Sequence, residues 1–196
     1  MFHTLDNMPY DLMLPESVAI LQSGCHYDLK SDVARWEILR IYGGIYVDTD
    51  MECKAPFEPF RDTDSFVAYG WHTNTVGNAL QGFVPGHRIP LECSKMILRS
   101  CFYEWKKVNS RIVWQYTVDG IQSITKDCTI IYPKETFYPF SWYAVLNNLP
   151  EIHKDYPDSA AVHWWTGILP DGWCSDRDKM AGGGENIPCP ISKLTF

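Results

Sequence analysis

Ser31-Asp32-Val33-Ala34-Arg35-Trp36-Glu37-Ile38-Leu39-Arg40-Ile41-Tyr42-Gly43-Gly44-Ile45-Tyr46-Val47-Asp48-Thr49-Asp50 is the stretch on which the reading of this chain turns. Ser31 has the chemistry of a helix N-cap, and Asp32 would then fall in the first turn, where the helix dipole favours an acid. Val33, Trp36 and Leu39 recur at threefold spacing, with Ile38, Ile41 and Tyr42 widening the apolar stripe, so a helix is predicted. Gly43-Gly44 stops it, because glycine takes the left-handed conformation that a helix C-terminus wants. Ile45-Tyr46-Val47 follows as a short strand of β-formers, and the acids Asp48 and Asp50 come where it ends.

Residues two apart on a regular strand share a face. Asp48 and Asp50 therefore predict a hard-oxygen site for Mg²⁺ or Mn²⁺ with ligand positions left over, which suits a diphosphate. The placement agrees with the rule that open α/β sheets bind ligands beyond the carboxyl ends of their strands. A solvated acidic turn produces the same triplet, so the bare pattern does not decide. Asp32 and Arg35, three apart on a helix, can grip one small polar ligand together; helix capping plus a surface ion pair explains them equally well.

Composition narrows the classes. The chain has 196 residues, 45% of them hydrophobic, enough for one ordinary domain over 1–196 with a real core. Net charge is -7 and no Lys/Arg cluster stands out, which argues against a nucleic-acid or anionic-membrane surface. A phosphorylated ligand would then need a cation's help. The seven cysteines are scattered without a C-x-x-C pair, so zinc-ribbon and thioredoxin-type sites lack their signature and reduced thiols are expected. No apolar run approaches the ~20 residues that span a bilayer, and no charged segment followed by an apolar stretch opens the chain. A cytoplasmic location without a transmembrane segment is the expectation.

Elsewhere, Pro15-Glu16-Ser17 opens the apolar run Val18 to Leu21, closed by Gly24. Ser65 to Tyr69 and Thr129 to Tyr132 read as strands, Pro90 to Val108 as a helix and Ile121 to Ile124 as a short one. Residues 175–196 read as an irregular tail. Alternating helix and strand signals favour an α/β layered fold.

The quoted stretch closely resembles the central motif of glycosyltransferase family 32: S-D-x-x-R, an apolar helix, Y-G-G-I/V-Y, then D-x-D. This family includes yeast-type initiating mannosyltransferases, capsule enzymes and, more distantly, the clostridial glucosylating toxins. The resemblance implies a single-domain GT-A-like nucleotide-diphospho-sugar transferase fold, with a mixed central sheet flanked by helices. Only 30 residues precede Ser31, and the family's usual first strand has no evident counterpart among them. The resemblance further implies that Asp48 and Asp50 hold Mn²⁺ or Mg²⁺ and the donor diphosphate, that Asp48 also contacts the sugar or ribose, and that Asp32 and Arg35 bind sugar hydroxyls. Tyr46 would lie against the ribose or base; a half-buried strand aromatic is its plain alternative.

Weaker likenesses run on to about residue 170. Asn78 to His87 is similar to the family's N-x-x-x-x-x-x-P-G-H segment. Asp119 to Thr125 stands where the family has T-G-P and a short helix, and lacks that triplet. Phe137-Tyr138-Pro139-Phe140-Ser141-Trp142 is close to F-Y-P-I-x-W and reads as structural. Ala161 to Gly167 resembles A-x-H-H-x-x-G, which implies that His163 completes the metal shell, a satisfied core histidine being its plain alternative, and sets Trp164 where the second histidine would be.

The function so implied is a metal-dependent, retaining transfer of a hexose from a nucleotide sugar to a hydroxyl of a glycan or other acceptor. A UDP-sugar is the favoured donor and GDP-mannose the second. The alternative is a sugar- or nucleotide-binding protein on the same fold with weakened catalysis. A two-metal phosphohydrolase would need more ligands than this segment offers.

Overall fold

A computed structural model of the chain describes residues 6–24, 27–71, 76–95 and 129–165. Helix α1 (Pro15–Leu21) starts with proline at its first position, where the missing N–H costs nothing. It packs on helix α2 (Tyr27–Tyr42). Strands β1 (Gly44–Val47), β2 (Met51–Cys53), β3 (Ser65–Tyr69) and β4 (Val76–Phe83) follow, then β5 (Ile130–Tyr132) and β6 (Ala161–His163).

Four strands form a mixed sheet in the order β1-β4-β3-β5. β4 runs antiparallel to both β1 and β3, and β5 lies parallel to β3. β2 and β6 form a separate antiparallel ribbon. Helices cover one face: Leu29, Val33, Trp36 and Leu39 of α2 pack with Val67, Val76 and Phe83. An aromatic layer covers the other, where Phe60, Phe66, Phe137 and Tyr138 surround Ala68 and Leu80. Fully burying each such side chain stabilises by about 1.5–3 kcal/mol.

The α/β layering and mixed sheet agree with the expected fold class. Ser65–Tyr69 is a strand over the predicted residues, and the strand expected over Thr129 to Tyr132 begins one residue later. The predicted helix from Pro90 is helical over 88–95; its remainder, Ile121 to Ile124 and 175–196 lie outside the described residues.

The start of α2 needs correction. α2 begins at Tyr27, a full turn before Ser31, so Ser31 is not the N-cap. Leu29 is buried in the core, and that burial extends the helix past a residue suited to ending it. Ser31 Oγ instead accepts from Arg35 Nη2 at 3.2 Å. β4 is an eight-residue strand occupying most of the Asn78-to-His87 segment, to which the residue pattern assigns no element. It is buried along its whole length, so no alternation of polar and apolar residues marks it.

Buried charge also anchors the amino-terminal segment. Ser17 Oγ donates to the buried Glu37 Oε1 at 2.6 Å, and Arg40 donates to Glu37 Oε2 and to the Leu12 carbonyl.

Candidate metal centre

The helix–turn–strand is built as the sequence indicates. Gly43 (φ 64°) donates its N–H to the Leu39 carbonyl at 2.9 Å, and Gly44 (φ 96°) opens β1. A Cβ at Gly43 would lie 2.6 Å from Pro85 N and 2.7 Å from the Phe83 carbonyl oxygen. Glycine is therefore required here by backbone conformation and by space.

β1 ends at Val47, and the two acids do not lie on a regular strand. Met51 N–H bonds to the Asp48 carbonyl at 3.1 Å, closing a turn over Asp48–Met51. The turn, rather than strand periodicity, brings the carboxylates together. Since β1 pairs antiparallel with β4, the site also differs from the crevice of a parallel sheet.

Asp48 is held from several sides. Its N–H donates to the Ala79 carbonyl at 2.7 Å, and Tyr46 Oη donates to its Oδ1 at 2.6 Å. Arg35 Nη2 lies 3.3 Å from the same oxygen. That guanidinium also contacts Asp32 Oδ1 at 3.2 Å, donates to the Asn78 carbonyl at 2.7 Å and lies over the Tyr46 ring at 4.4 Å. Asn78 Nδ2 reaches toward Asp32 Oδ1 at 3.5 Å.

Asp32 and Arg35 are both buried, so they are not a surface ion pair capping a helix. Burial works to lower the Arg35 pKa, but Asp32 and Asp48 outweigh it and hold it above its ordinary value. Burial, the Arg35 charge opposing it, pushes the Tyr46 phenol well above the ordinary range, so Tyr46 is a neutral donor to Asp48.

Asp50 faces another element. Its Oδ1 lies 3.0 Å from His163 Nε2, and its carbonyl accepts the Trp164 N–H at 3.0 Å. The ribbon supplies this meeting, because β6 pairs Met51 with His163. His163 is buried; its ring lies 4.1 Å from that of Trp165 and 5.9 Å from that of Tyr138. Its Nδ1 has no hydrogen-bond partner.

One ligand atom each from Asp48, Asp50 and His163 lie within 4.8 Å of one another. The donor set fits a divalent cation: two hard carboxylates and an imidazole. Arg35 and Tyr46 both contact Oδ1 of Asp48.

The structure thus brings Asp32, Arg35, Tyr46, Asp48, Asp50 and His163 into one connected group. Sequence reasoning did not assign Asn78 to it, although that residue contacts both Arg35 and Asp32. Its position at the head of the N-x-x-x-x-x-x-P-G-H likeness was the available signal. In the Phe137-to-Trp142 segment, Phe137, Tyr138 and Phe140 are buried and Ser141 caps a short helix, Trp142–Leu146.

Residues 6–67 match the family model described as the glycosyltransferase sugar-binding region containing a DXD motif. The match takes in Asp32, Arg35, Tyr46, Asp48 and Asp50. Over 78 residues the chain is 33% identical to an uncharacterized glycosyltransferase of Acanthamoeba polyphaga mimivirus. That alignment covers 38% of this chain and 31% of the relative, so the chain spans under a third of that protein's length. No solved structure matches significantly. Both matches support the family-32-like assignment of the DXD region. Among the described residues, no helix is long and apolar enough to cross a membrane.

Proposed function

We propose that this chain, which carries the DXD sugar-binding region of a family-32-like glycosyltransferase, transfers a hexose from a nucleotide sugar to a hydroxyl acceptor, with a divalent cation at Asp48, Asp50 and His163. The observation that carries the reading is the convergence of those three side chains, Asp48 being tied through Arg35 to the buried Asp32. Glycosyl transfer passes through an oxocarbenium-like transition state, and the leaving nucleoside diphosphate gains negative charge as its bond to the sugar breaks. Bound Mn²⁺ or Mg²⁺ would offset that charge as a Lewis acid.

The protein's own groups have separate tasks in this reading. Asp48 and Asp50 present hard oxygens from a closed turn, so little reorganisation is needed when the charge develops. Arg35 and Tyr46 fix the Asp48 carboxylate, and Asp32 with Arg35 would meet the hydroxyls of the donor sugar. Tyr46 would lie beside the ribose or base. A UDP-hexose is the favoured donor and GDP-mannose the second. Transfer would retain configuration by front-face attack of the acceptor hydroxyl, which requires no protein nucleophile.

The test is release of nucleoside diphosphate from a panel of nucleotide sugars, with and without Mn²⁺, alongside the melting temperature. Mn²⁺ and the right donor should together raise the melting temperature, since a ligand that binds only the folded state stabilises it. Slow Mn²⁺-dependent donor hydrolysis is expected without acceptor, and Asp48→Asn or Asp50→Asn should abolish it while the fold persists. Near wild-type turnover by either variant after EDTA treatment would overturn the reading; donor binding without any turnover would leave a sugar-nucleotide binder.

A further inference from the structure

We propose that Tyr138 is a positioning residue for the metal centre, its hydroxyl pinning the irregular part of β4 that holds Asp48 and its ring packing against His163. The inference rests on the metal reading of the Asp48–Asp50–His163 group. It gives a task to a segment that sequence reasoning treats as structural.

Between the pairs Phe66↔Gly82 and Ala68↔Gly77 the β3–β4 register slips, and β4 carries the extra residues. Such irregularities re-aim neighbouring groups and are over-represented beside active sites. The residues in the slip serve the site directly. The Asn78 carbonyl takes Arg35 Nη1 at 2.7 Å and the Ala79 carbonyl takes the Asp48 N–H at 2.7 Å. Next in line, the buried Leu80 N–H donates to Tyr138 Oη at 3.0 Å. A side-chain oxygen thus holds a central-strand N–H within the slip. Removing it would leave a buried donor unsatisfied, which favours a shift of the segment that supports Asp48 and Arg35.

The same residue touches the other half of the centre. The Tyr138 ring meets the His163 ring at 5.9 Å and 71°, an edge-on contact, and lies 6.3 Å from Trp165. It reaches this place over Gly77, where a Cβ would come within 2.5 Å of its ring carbons. Tyr138 therefore contacts both the strand holding Asp48 and the imidazole facing Asp50. Burial raises its pKa, against the pull of the Leu80 and Ala79 backbone, so it stays a neutral phenol.

The test compares Tyr138→Phe, which keeps the ring and deletes the hydroxyl, with Phe60→Leu, which thins the same aromatic cluster away from the centre. Mn²⁺ affinity of the full chain is read by titration at a temperature where all variants are folded. Tyr138→Phe should bind Mn²⁺ about fivefold more weakly, the scale of one lost buried hydrogen bond. Phe60→Leu should lose stability but keep its Mn²⁺ affinity. Unchanged Mn²⁺ affinity in Tyr138→Phe, or an equal loss in Phe60→Leu, would overturn the positioning role alone. Failure of the wild-type chain to take up Mn²⁺ at a site that Asp50→Asn removes would overturn the metal reading, and this inference with it.

Discussion

Asp48 and Asp50 stand two residues apart and are held in opposite ways. Asp48 belongs to the four-stranded sheet: its backbone is laddered to β4, and its carboxylate faces a guanidinium and a phenol from α2 and β1. Asp50 belongs to the ribbon, and its carboxylate faces His163, 113 residues further along the chain. Most of the first acid's setting comes from one contiguous stretch; the second acid's partner arrives only when the chain closes on itself. The difference teaches where the site is rigid by construction and where it depends on a long-range contact.

The hardest way to break the comparison is to remove what the Asp48 arm is built around. Arg35→Met keeps much of the side-chain volume but leaves Asp32 buried without its charge partner. Stranding one member of a buried pair costs about 3–5 kcal/mol. Chemical denaturation should show a loss of that size, the largest of the substitutions considered. A loss below about 1 kcal/mol would mean that the pair contributes no more than an exposed one does.

Next in size is the turn that aims the arm. Gly43→Ala adds a methyl group against Pro85 and the Phe83 carbonyl, at a positive φ that alanine avoids. Backbone strain of this kind costs about 1–3 kcal/mol. The melting temperature should fall, and Mn²⁺ binding should weaken if the turn shifts Asp48. Gly44→Ala, also at positive φ but with open space around it, should cost less. Equal losses in the two would show that conformation, not crowding, sets the requirement.

The same contrast explains what could be read in advance. The helix, the two glycines, β1 and the acids announce themselves through local rules: apolar spacing, chain reversal and β-forming residues in one stretch. Asp32 and Arg35 were legible as one helical face, though not as buried. β4 was not legible, because Gly77, Asn78, Gln81 and Gly82 give it poor strand chemistry and both its faces are covered. Its glycines are there for packing: Gly77 admits the Tyr138 ring and Gly82 the Phe66 ring. Nor does a local rule show that β2 pairs with β6, since that register joins segments distant in sequence. The start of α2 was misplaced for the converse reason: Ser31 is a good local cap, but Leu29 has a place in the core.

The smallest expected effect sharpens the comparison most. Tyr46→Phe removes one hydrogen bond to Asp48 Oδ1 and leaves the ring over which Arg35 lies. A net contribution of about 0.5–1.5 kcal/mol is usual for such a bond. The lower end is expected here, because the half-buried Asp48 carboxylate can accept from water instead. Arg35 remains within 3.3 Å, so the carboxylate keeps its main charge partner. If the two arms are independent, the NMR signals of the His163 ring should be unchanged in this variant, while Asp50→Asn shifts them strongly. Perturbation of His163 by Tyr46→Phe would show that the arms are already coupled before a cation joins them.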